Sequence, residues 1–512
     1  MTQSGLNPQT GKDLTKREKG WIVFALMISV ALAAIDVTIV STALPTIVAE
    51  LSGVALYSLL VSVYLLTSTT SVPLYGQLAD NLGRKPVLIW GIVLFTFSSF
   101  LCTQAATMVQ LIMFRALQGL GAGAILPMTM TIIGDLFSIE ERARYQGFFS
   151  GVWGVSSIVG PALGALILTF WTWQGIFYIN LPVGALAVFL VLRFFHEHKV
   201  SSHRSVDVWG ALLMTAGVGA FLLAVEGRLF GETFNAGLYF AAIACIIVLV
   251  FVEKNVESPL LPMSLFKKRI IGVSYLVAIF GGITQFGVTS FIPLFVQGAM
   301  GGTPLSVGLT MAPMAIGWPI GSIMSGKLIL KTGYKRVLFA GMAIGVFGSS
   351  MLLIIGSATP LIAVMGIVVT IGFSMGLTTT PVIIAVQNAV EWKQRGITTA
   401  LNQFSRTIGG VLGVAVMGAL LNNRLSEYLN NSTLTAGQKA SDLIRDMLDP
   451  SKRDAYAPDI LQSVRLDLAD ALNTAYLLPF IAAVIALLLI FFFFPGGKVE
   501  KLKFNNNKKR PM

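Results

Sequence analysis

Residues 76–88, GQLADNLGRKPVL, return 250 positions later as residues 326–338, GKLILKTGYKRVL. The two segments share six residues in register, including glycines at the first and eighth positions. Each segment follows a long apolar stretch and carries basic residues, which is typical of a loop at a membrane surface. A repeat of this length predicts two related halves, an arrangement common among transporters with a substrate site between the halves.

The composition agrees with a membrane protein. Of the 512 residues, 55% are hydrophobic and only 12% are charged, about half the charged fraction of roughly 25% in a soluble domain. This excludes an ordinary soluble enzyme, a disordered protein and the usual kind of nucleic-acid binder. The formal net charge of +12 is better explained by lysine and arginine that hold loops on the cytoplasmic side of a bilayer.

Apolar stretches of about 20 residues can each span a bilayer, and the chain contains fourteen candidates. They lie at 21–48, 56–78, 86–104, 107–133, 145–169, 173–195, 207–226, 236–252, 270–296, 305–327, 336–356, 360–384, 398–421 and 471–495. Lys and Arg concentrate in every second connection and in the carboxyl tail. The positive-inside rule then predicts a multi-pass protein of the plasma membrane with both termini in the cytoplasm.

The repeat and the span count together predict the domain organisation. Spans 1–6 form an N-terminal six-helix bundle (21–200) after a cytoplasmic tail (1–20), and two inserted linker helices follow (201–258). A C-terminal six-helix bundle (259–497) contains an extracellular loop (422–470), with a basic cytoplasmic tail (498–512) after it. The predicted fold is therefore all-α.

Charged residues inside predicted spans are functional candidates because a charge in the bilayer centre is costly. Asp36 in span 1 can exchange a proton or neutralise a cationic substrate, and its alternative role is a structural ion pair. Arg115 in span 4 stays charged and can set the proton affinity of a nearby acid, or serve as a structural partner. Arg406 in span 13 is either functional or near the cytoplasmic entrance. Four uncharged side chains could line a cavity or join helices by hydrogen bonds: Gln285, Gln387, Asn402 and Gln403.

The sequence contains no motif that would indicate ATP hydrolysis or an ion channel. There is no Walker loop and no TVGYG-like channel filter. His196 and His198 could bind a metal, but a solvated loop is the better interpretation of this pair. We therefore expect no metal, no cofactor and no enzymatic activity.

Several motifs resemble those of the major facilitator superfamily, in particular its fourteen-helix drug:proton antiporters (QacA/EmrB-like multidrug exporters). The loop GQLADNLGRKPVL resembles the signature between helices 2 and 3, and IDVTIVSTALPTI around Asp36 resembles the first-helix motif. RALQGLGAG, GFFSGVWGVSSIVGPALGA, WQGIFYINLPVG and RGITTALNQFSRTIGGVLG resemble motifs of helices 4, 5, 6 and 13. The resemblance covers essentially the whole chain.

The resemblance implies roles for particular residues. A gating loop would latch the inner gate through Gly76, Asp80, Gly83, Arg84 and Lys85. Asp36 would be the coupling carboxylate, and Arg115 would take part in proton transfer. The helix 5 bend associated with antiport would come from Gly160, Pro161 and Gly164. In the second half, Leu330 and Tyr334 replace the acid and the base of the loop, which predicts a degenerate second latch.

Together these features predict a monomeric exporter of hydrophobic drugs and antibiotics, driven by the proton gradient through alternating access. Its partners would be protons, the lipid bilayer and small cationic, zwitterionic or neutral amphiphiles. Span 10 contains no acid and Asp36 is essentially the one deep carboxylate, so compact dications fit poorly. The alternatives are an exporter of a single compound (tetracycline, a metabolite or a siderophore), a membrane sensor without transport and, most weakly supported, a membrane enzyme.

Overall fold

The computed structural model describes residues 15–51, 57–197, 207–226, 232–256, 259–260, 263–431 and 458–496. All of its regular structure there is helical. The first part of the chain contains α1 (Lys16–Leu51), α2 (Tyr57–Thr70), α3 (Val72–Leu82), α4 (Arg84–Thr103), α5 (Met108–Leu136), α6 (Ile139–Phe170), α7 (Gly175–Tyr178) and α8 (Asn180–Phe194). Most of these helices are apolar around their whole circumference, as expected where lipid replaces water.

The remaining helices begin after residue 207. They are α9 (Val208–Glu226), α10 (Glu232–Asn255), α11 (Met263–Lys267), α12 (Arg269–Leu294), α13 (Pro304–Thr332), α14 (Tyr334–Met351), α15 (Leu361–Asn388), α16 (Arg395–Asn431) and α17 (Pro458–Phe493). Helix α12 continues into a π-helical turn at Phe295–Ala299, and a 3-10 turn at Trp392–Gln394 precedes α16.

Ten helical segments of the described residues are long and apolar enough to cross a bilayer. Predicted span 2 is interrupted at Ser71, which separates α2 from α3. The predicted spans at α6, α9 and α14 are helical, but these helices are not among the ten segments. The count of fourteen therefore stays a prediction.

Helices α1–α8 pack among themselves, and α12–α17 do the same. Phe95 and Phe149 are fully buried in a core of the first group, and Phe295 and Tyr476 in a core of the second. The two groups meet where α3 packs on α16 and where α6 packs on α13. The inserted helices α9 and α10 pack on each other, with α9 alongside α2 and α3.

The sequence repeat is also a repeat of backbone geometry. Gly83 separates α3 from α4 with φ 98°, and Gly333 separates α13 from α14 with φ 86°. The amide of each glycine donates to the carbonyl four residues earlier, Ala79 O at 3.0 Å and Ile329 O at 2.8 Å. Only glycine adopts this left-handed conformation at little cost. We call the end of the bundle that carries both glycines the loop end, and the opposite end the far end.

The first glycine of each repeat serves a different purpose. A Cβ at Gly76 would overlap the Ala400 methyl on α16, and a Cβ at Gly326 would overlap the Ala143 methyl on α6. Small residues at these positions let helices of the two groups approach closely. The repeat thus brings the two groups together twice at the loop end.

The structure differs from the predicted loop at 422–470. Helix α16 continues to Asn431 and α17 already begins at Pro458, because apolar residues such as Leu425, Val464 and Leu468 still pack in a core there. Tyr428 donates to Asp470 across this pair of helix extensions. Residues 432–457, most of both tails and the basic connection at 198–206 lie outside the described residues.

Candidate functional site

Asp36 and Arg115 form a buried ion pair between α1 and α5. Arg115 Nη1 lies 2.6 Å from Asp36 Oδ2. The two side chains are 0% and 2% exposed. The sequence predicted that each residue is a candidate, with a mutual ion pair as one interpretation, and the structure brings them together.

Polar side chains from three helices complete the surroundings of the Asp36 carboxylate. Gln118 Nε2 donates to Asp36 Oδ1 at 2.9 Å, and Asn180 Nδ2 donates to the same oxygen at 2.8 Å. Both amides also donate to Ser99 Oγ, at 2.5 and 3.0 Å. Gln118 Oε1 in turn accepts from Arg115 Nη1 at 2.7 Å. Both carboxylate oxygens of Asp36 therefore have partners, as a buried charge requires.

Two aromatic rings lie beside the guanidinium of the Asp36–Arg115 pair. The Arg115 guanidinium lies 4.1 Å from the Tyr64 ring centroid and 5.9 Å from that of Phe177, distances at which a cation is attracted to a ring face. Nε of Arg115 makes no hydrogen bond among the described residues. The hydrogen-bond and ring partners of the pair named above all come from α1–α8, so these contacts place the pair inside one helix group.

The pair lies toward the far end of the bundle. Arg115 is in the second turn of α5, whereas Asp135 lies at the loop end of the same helix. Twenty residues separate them, about 30 Å along a helix, close to the thickness of a hydrocarbon core.

Sequence reasoning missed Gln118, Asn180 and Ser99 as members of the Asp36 site. Gln118 follows Arg115 by three residues, so helical spacing places both on one face of α5 and could have identified it. Asn180 and Ser99 come from distant segments of the chain, and no local pattern marks either of them.

A second charged site joins the two helix groups at the loop end. Arg84 bonds Asp80 Oδ1 through Nη2 at 3.1 Å, and its Nε lies 3.1 Å from Asp135 Oδ2. Arg395 of α16 lies 3.1 Å from the other oxygen of Asp135. We call Asp80, Arg84, Asp135 and Arg395 the loop-end cluster. The sequence predicted Asp80 and Arg84 in a gating loop, and Asp135 and Arg395 are their partners.

The start of α16 strengthens this contact. The backbone amides of Gly396 and Ile397 donate to the two oxygens of Asp80, each at 2.9 Å. A carboxylate at a helix N-terminus is stabilised by the unpaired amides and by the helix dipole. Arg84 also donates to Trp392 O at 2.8 Å, and its guanidinium stacks 3.8 Å from the Trp392 ring.

Glu197 holds the other side of the gating loop. Its carboxylate accepts hydrogen bonds from the backbone amides of Arg84 at 2.9 Å and Lys85 at 2.7 Å, at the first turn of α4. Burial raises the pKa of Glu197, while these two bonds oppose that change. Lys85 Nζ donates to Leu192 O at 3.2 Å. Sequence reasoning made no prediction for Glu197.

The second repeat has a counterpart of the loop-end cluster that contains no acidic residue. Asn388 donates to the Tyr334 hydroxyl at 2.8 Å and accepts from Arg142 Nη1 at 3.1 Å. Tyr334 occupies the repeat position of Arg84, as the degenerate second latch predicted. Arg142, in the first turn of α6, bridges to α15 much as Arg395 bridges to α5.

The predicted helix 5 residues lie within α6, which runs without interruption from Ile139 to Phe170. Gly160 and Gly164 are buried. A Cβ at Gly160 would overlap the Thr38 hydroxyl of α1, and Thr38 Oγ1 donates to Ser156 O at 2.9 Å. Gly160 thus allows α1 and α6 to pack closely near Asp36. Nothing is described of the Pro161 side chain.

The uncharged candidates divide between two places. Gln387 bonds Met130 O at 3.1 Å and Thr399 at 3.2 Å, so it joins α15 to α5 and α16 near the loop-end cluster. Gln403 lies beside Arg406 on α16, Asn402 is 3% exposed on the same helix, and Gln285 is half-buried on α12. None of these residues contacts the Asp36 site.

The described residues contain no cluster of three or more His, Cys, Asp or Glu side chains that could hold a metal ion. His196 lies within them, and His198 and His203 do not.

Comparisons with known proteins place this geometry in a family. The Major Facilitator Superfamily model matches residues 26–414. Multidrug transporter protein MdtP of Bacillus subtilis (strain 168) is 35% identical over 472 residues, covering 88% of this chain and 86% of that protein. Multidrug resistance protein 3 of the same organism is 31% identical over 482 residues, covering 91% and 93%.

Among solved structures, the proton:xylose symporter XylE bound to 6-bromo-6-deoxy-D-glucose has a similar fold, with a TM-score of 0.62 at 14% identity. The match covers 95% of this chain and 98% of that chain. The helical packing, the repeated loop and the extent of the family match lead to one conclusion: this chain is a multi-pass membrane protein of the major facilitator superfamily, a family of transporters.

Proposed function

We propose that this protein exports hydrophobic drugs in exchange for protons by alternating access. The observation that carries the proposal is the buried Asp36–Arg115 pair, which combines an ionisable carboxylate with a fixed positive charge inside a transporter fold. The names of relatives that are 31–35% identical, a multidrug transporter and a multidrug resistance protein, support drugs as the cargo.

In this proposal the chain crosses the plasma membrane fourteen times, with two six-helix bundles, two inserted helices and both termini in the cytoplasm. The loop end then faces the cytoplasm, and the loop-end cluster is the closed inner gate. Asp36, nearer the far end, would take up its proton from outside. Transport requires two states that differ in affinity for both drug and proton, because otherwise neither gradient can drive the other.

Protonation of Asp36 would be the coupling step. A neutral carboxyl no longer balances the Arg115 charge, and the hydrogen bonds from Gln118 and Asn180 weaken because their acceptor is no longer ionised. The four helices that meet at Asp36 would then repack, and this would open the loop-end cluster.

The test measures proton-coupled transport in inside-out membrane vesicles that carry a pH gradient. We expect ethidium to dissipate the gradient in the wild type and not in Asp36→Asn. The matched control is Asp207→Asn, which also removes a buried carboxylate. Asp207 caps α9 by accepting from the Gly210 amide at 2.8 Å, and Asn caps a helix equally well, so this control should couple normally.

Three results would overturn parts of the proposal. If the wild type dissipates the pH gradient with one metabolite but never with ethidium, the protein is a single-substrate exporter. An Asp36→Asn variant that still couples would show that another group carries the proton. A wild type that moves ethidium without proton movement would exclude antiport.

A further inference from the structure

Arg406 is a deeply placed cation that the proton-coupling site does not use. It follows Arg395 of the loop-end cluster by eleven residues on α16, which is about 16 Å along a helix. Because the charged cluster marks one surface of a hydrocarbon core about 30 Å thick, Arg406 lies near the middle of that core. Its side chain is half-buried.

No carboxylate balances this charge among the described residues. Helices α12, α13, α14 and α15 contain no Asp or Glu at all. The acid on α16, Glu427, pairs with Arg424 at 3.0 Å near the far end. The acids of α17 lie within its first thirteen residues, also toward the far end: Asp459, Asp467 and Asp470. The C-terminal helix group thus has an interior cation without an interior anion.

The side chains around Arg406 are suited to an anion and an aromatic ring. Arg406 Nη2 donates to Gln403 Oε1 at 2.9 Å, whereas its Nε has no hydrogen-bond partner. The guanidinium lies 6.0 Å from the Trp318 ring centroid on α13. Asn402, one turn before Arg406, has a buried amide nitrogen that donates to nothing among the described residues.

Helix α12 brings one more amide to this place. A Cβ at Gly282 would overlap the Arg406 carbonyl, so α12 and α16 touch at this level. Gln285 lies three residues on, on the same face of α12, and its side-chain oxygen is buried without a partner. Two unpartnered donors, Asn402 Nδ2 and Arg406 Nε, therefore lie on α16, with the amide side chain of Gln285 on the neighbouring helix.

We propose that Arg406, with the Trp318 ring beside it, binds the negatively charged group of the transported compound. A guanidinium in a low-dielectric interior is costly unless an anion offsets it, and it matches the two oxygens of a carboxylate in geometry. Trp318 would hold an aromatic part of the same molecule. The favoured substrates are then aromatic amphiphiles with a carboxylate. This inference rests on the proposed export function and narrows its substrate class.

The first test needs no variant. Binding of a carboxylate-bearing fluoroquinolone, its methyl ester and its amide to the purified protein in detergent would be compared by quenching of tryptophan fluorescence. We expect the acid to bind about tenfold or more tightly than the other two, since a charge-assisted hydrogen bond to a buried group contributes that much. The preference should fade at acidic pH, where the ligand's own carboxyl is protonated. Equal binding of the three, or binding of none, overturns the proposal.

The second test compares variants on one helix. Arg406→Gln should weaken binding of the acid about tenfold or more while changing binding of the ester less than about threefold. Arg406→Lys keeps the positive charge but loses the planar guanidinium. Its affinity for the acid should lie between those of the wild type and Arg406→Gln. Arg424→Gln, an exposed arginine on the same helix, is the matched control and should bind like the wild type. Equal weakening of acid and ester would mean a packing role for Arg406 and would overturn the proposal.

These measurements separate this inference from the export proposal. Binding in detergent needs no proton gradient, so a failure of ethidium transport would overturn the export function without altering the acid-to-ester ratio. Conversely, the protein could export ethidium in exchange for protons and yet bind the acid no more tightly than its ester and amide. That result would support the export function and overturn the anion subsite at Arg406.

Discussion

The two helix groups, α1–α8 and α12–α17, differ in how their buried charged side chains are paired. In α1–α8, Asp36 and Arg115 neutralise each other inside one group, and Arg84 is held between Asp80 and Asp135 at the loop end. In α12–α17, the matching loop position holds the uncharged Tyr334, and Arg406 has no acid beside it in the part of the chain that the structure describes. One fold repeated along the chain therefore has an interior ion pair in its first half and, in its second half, an interior cation without an acidic partner among the described residues.

The difference indicates a division of labour. A balanced pair can change state when a proton arrives, because protonation removes one of its two charges. An unbalanced arginine cannot change state in this way, since it stays protonated, but it can accept an anion from outside the protein. This difference is the basis on which we propose proton coupling in the first group and recognition of the cargo's charge in the second.

The largest expected effect comes from breaking the balanced pair. Asp36→Ala leaves the Arg115 charge buried without its partner, which should lower the free energy of unfolding by about 3–5 kcal/mol. Thermal unfolding in detergent would measure this. The double variant Asp36→Ala, Arg115→Gln should recover part of the loss, because it removes the stranded charge as well. If the two single losses simply add, the residues do not act as a pair.

An intermediate effect should follow from the repeated loop. Arg84→Gln removes a cation shared by two largely buried carboxylates and should lower the free energy of unfolding by about 2–3 kcal/mol. Its repeat counterpart Tyr334→Phe removes a single neutral hydrogen bond and should cost about 1 kcal/mol or less. The same unfolding measurement checks both variants. Equal losses at the two loops would contradict the asymmetry between the halves.

The smallest expected effect comes from the unbalanced cation. Arg406→Gln removes a charge that has no acidic partner in the described residues, so the ligand-free protein should unfold at the same temperature or slightly higher. Arg115→Gln is the informative comparison, since it removes an interior arginine that an acid does balance and should destabilise strongly. A large loss of stability in Arg406→Gln would reveal an acidic partner for Arg406.

Much of the fold is already present in the sequence. The 250-residue offset predicted two related halves, and the left-handed Gly83 and Gly333 now show the same turn in both. The helix ends were less predictable: α16 and α17 extend well into the predicted loop, because apolar residues within a polar stretch still pack against the core. Span 2 broke into two helices at Ser71, a position that hydropathy alone does not mark.

The residues of the candidate site were likewise only partly predictable from the sequence. Asp36, Arg115 and Arg406 could be named from the sequence because charges within apolar stretches are rare and costly. Gln118 shares a helix face with Arg115, so local spacing could have revealed it. Asn180, Ser99 and Glu197 could not be found, since each meets its partners only through contacts between segments far apart in the chain.

The sequence by itself determined the class of protein, the repeat and which charges lie inside apolar stretches, because these depend on composition and on short-range periodicity. Only the tertiary structure decided which of those charges are paired. Asp36 and Arg115 are 79 residues apart and meet at 2.6 Å, whereas Arg406 reaches no acid among the described residues. Pairing depends on distances between helices, and the packing of small residues such as Gly76 and Gly160 sets those distances.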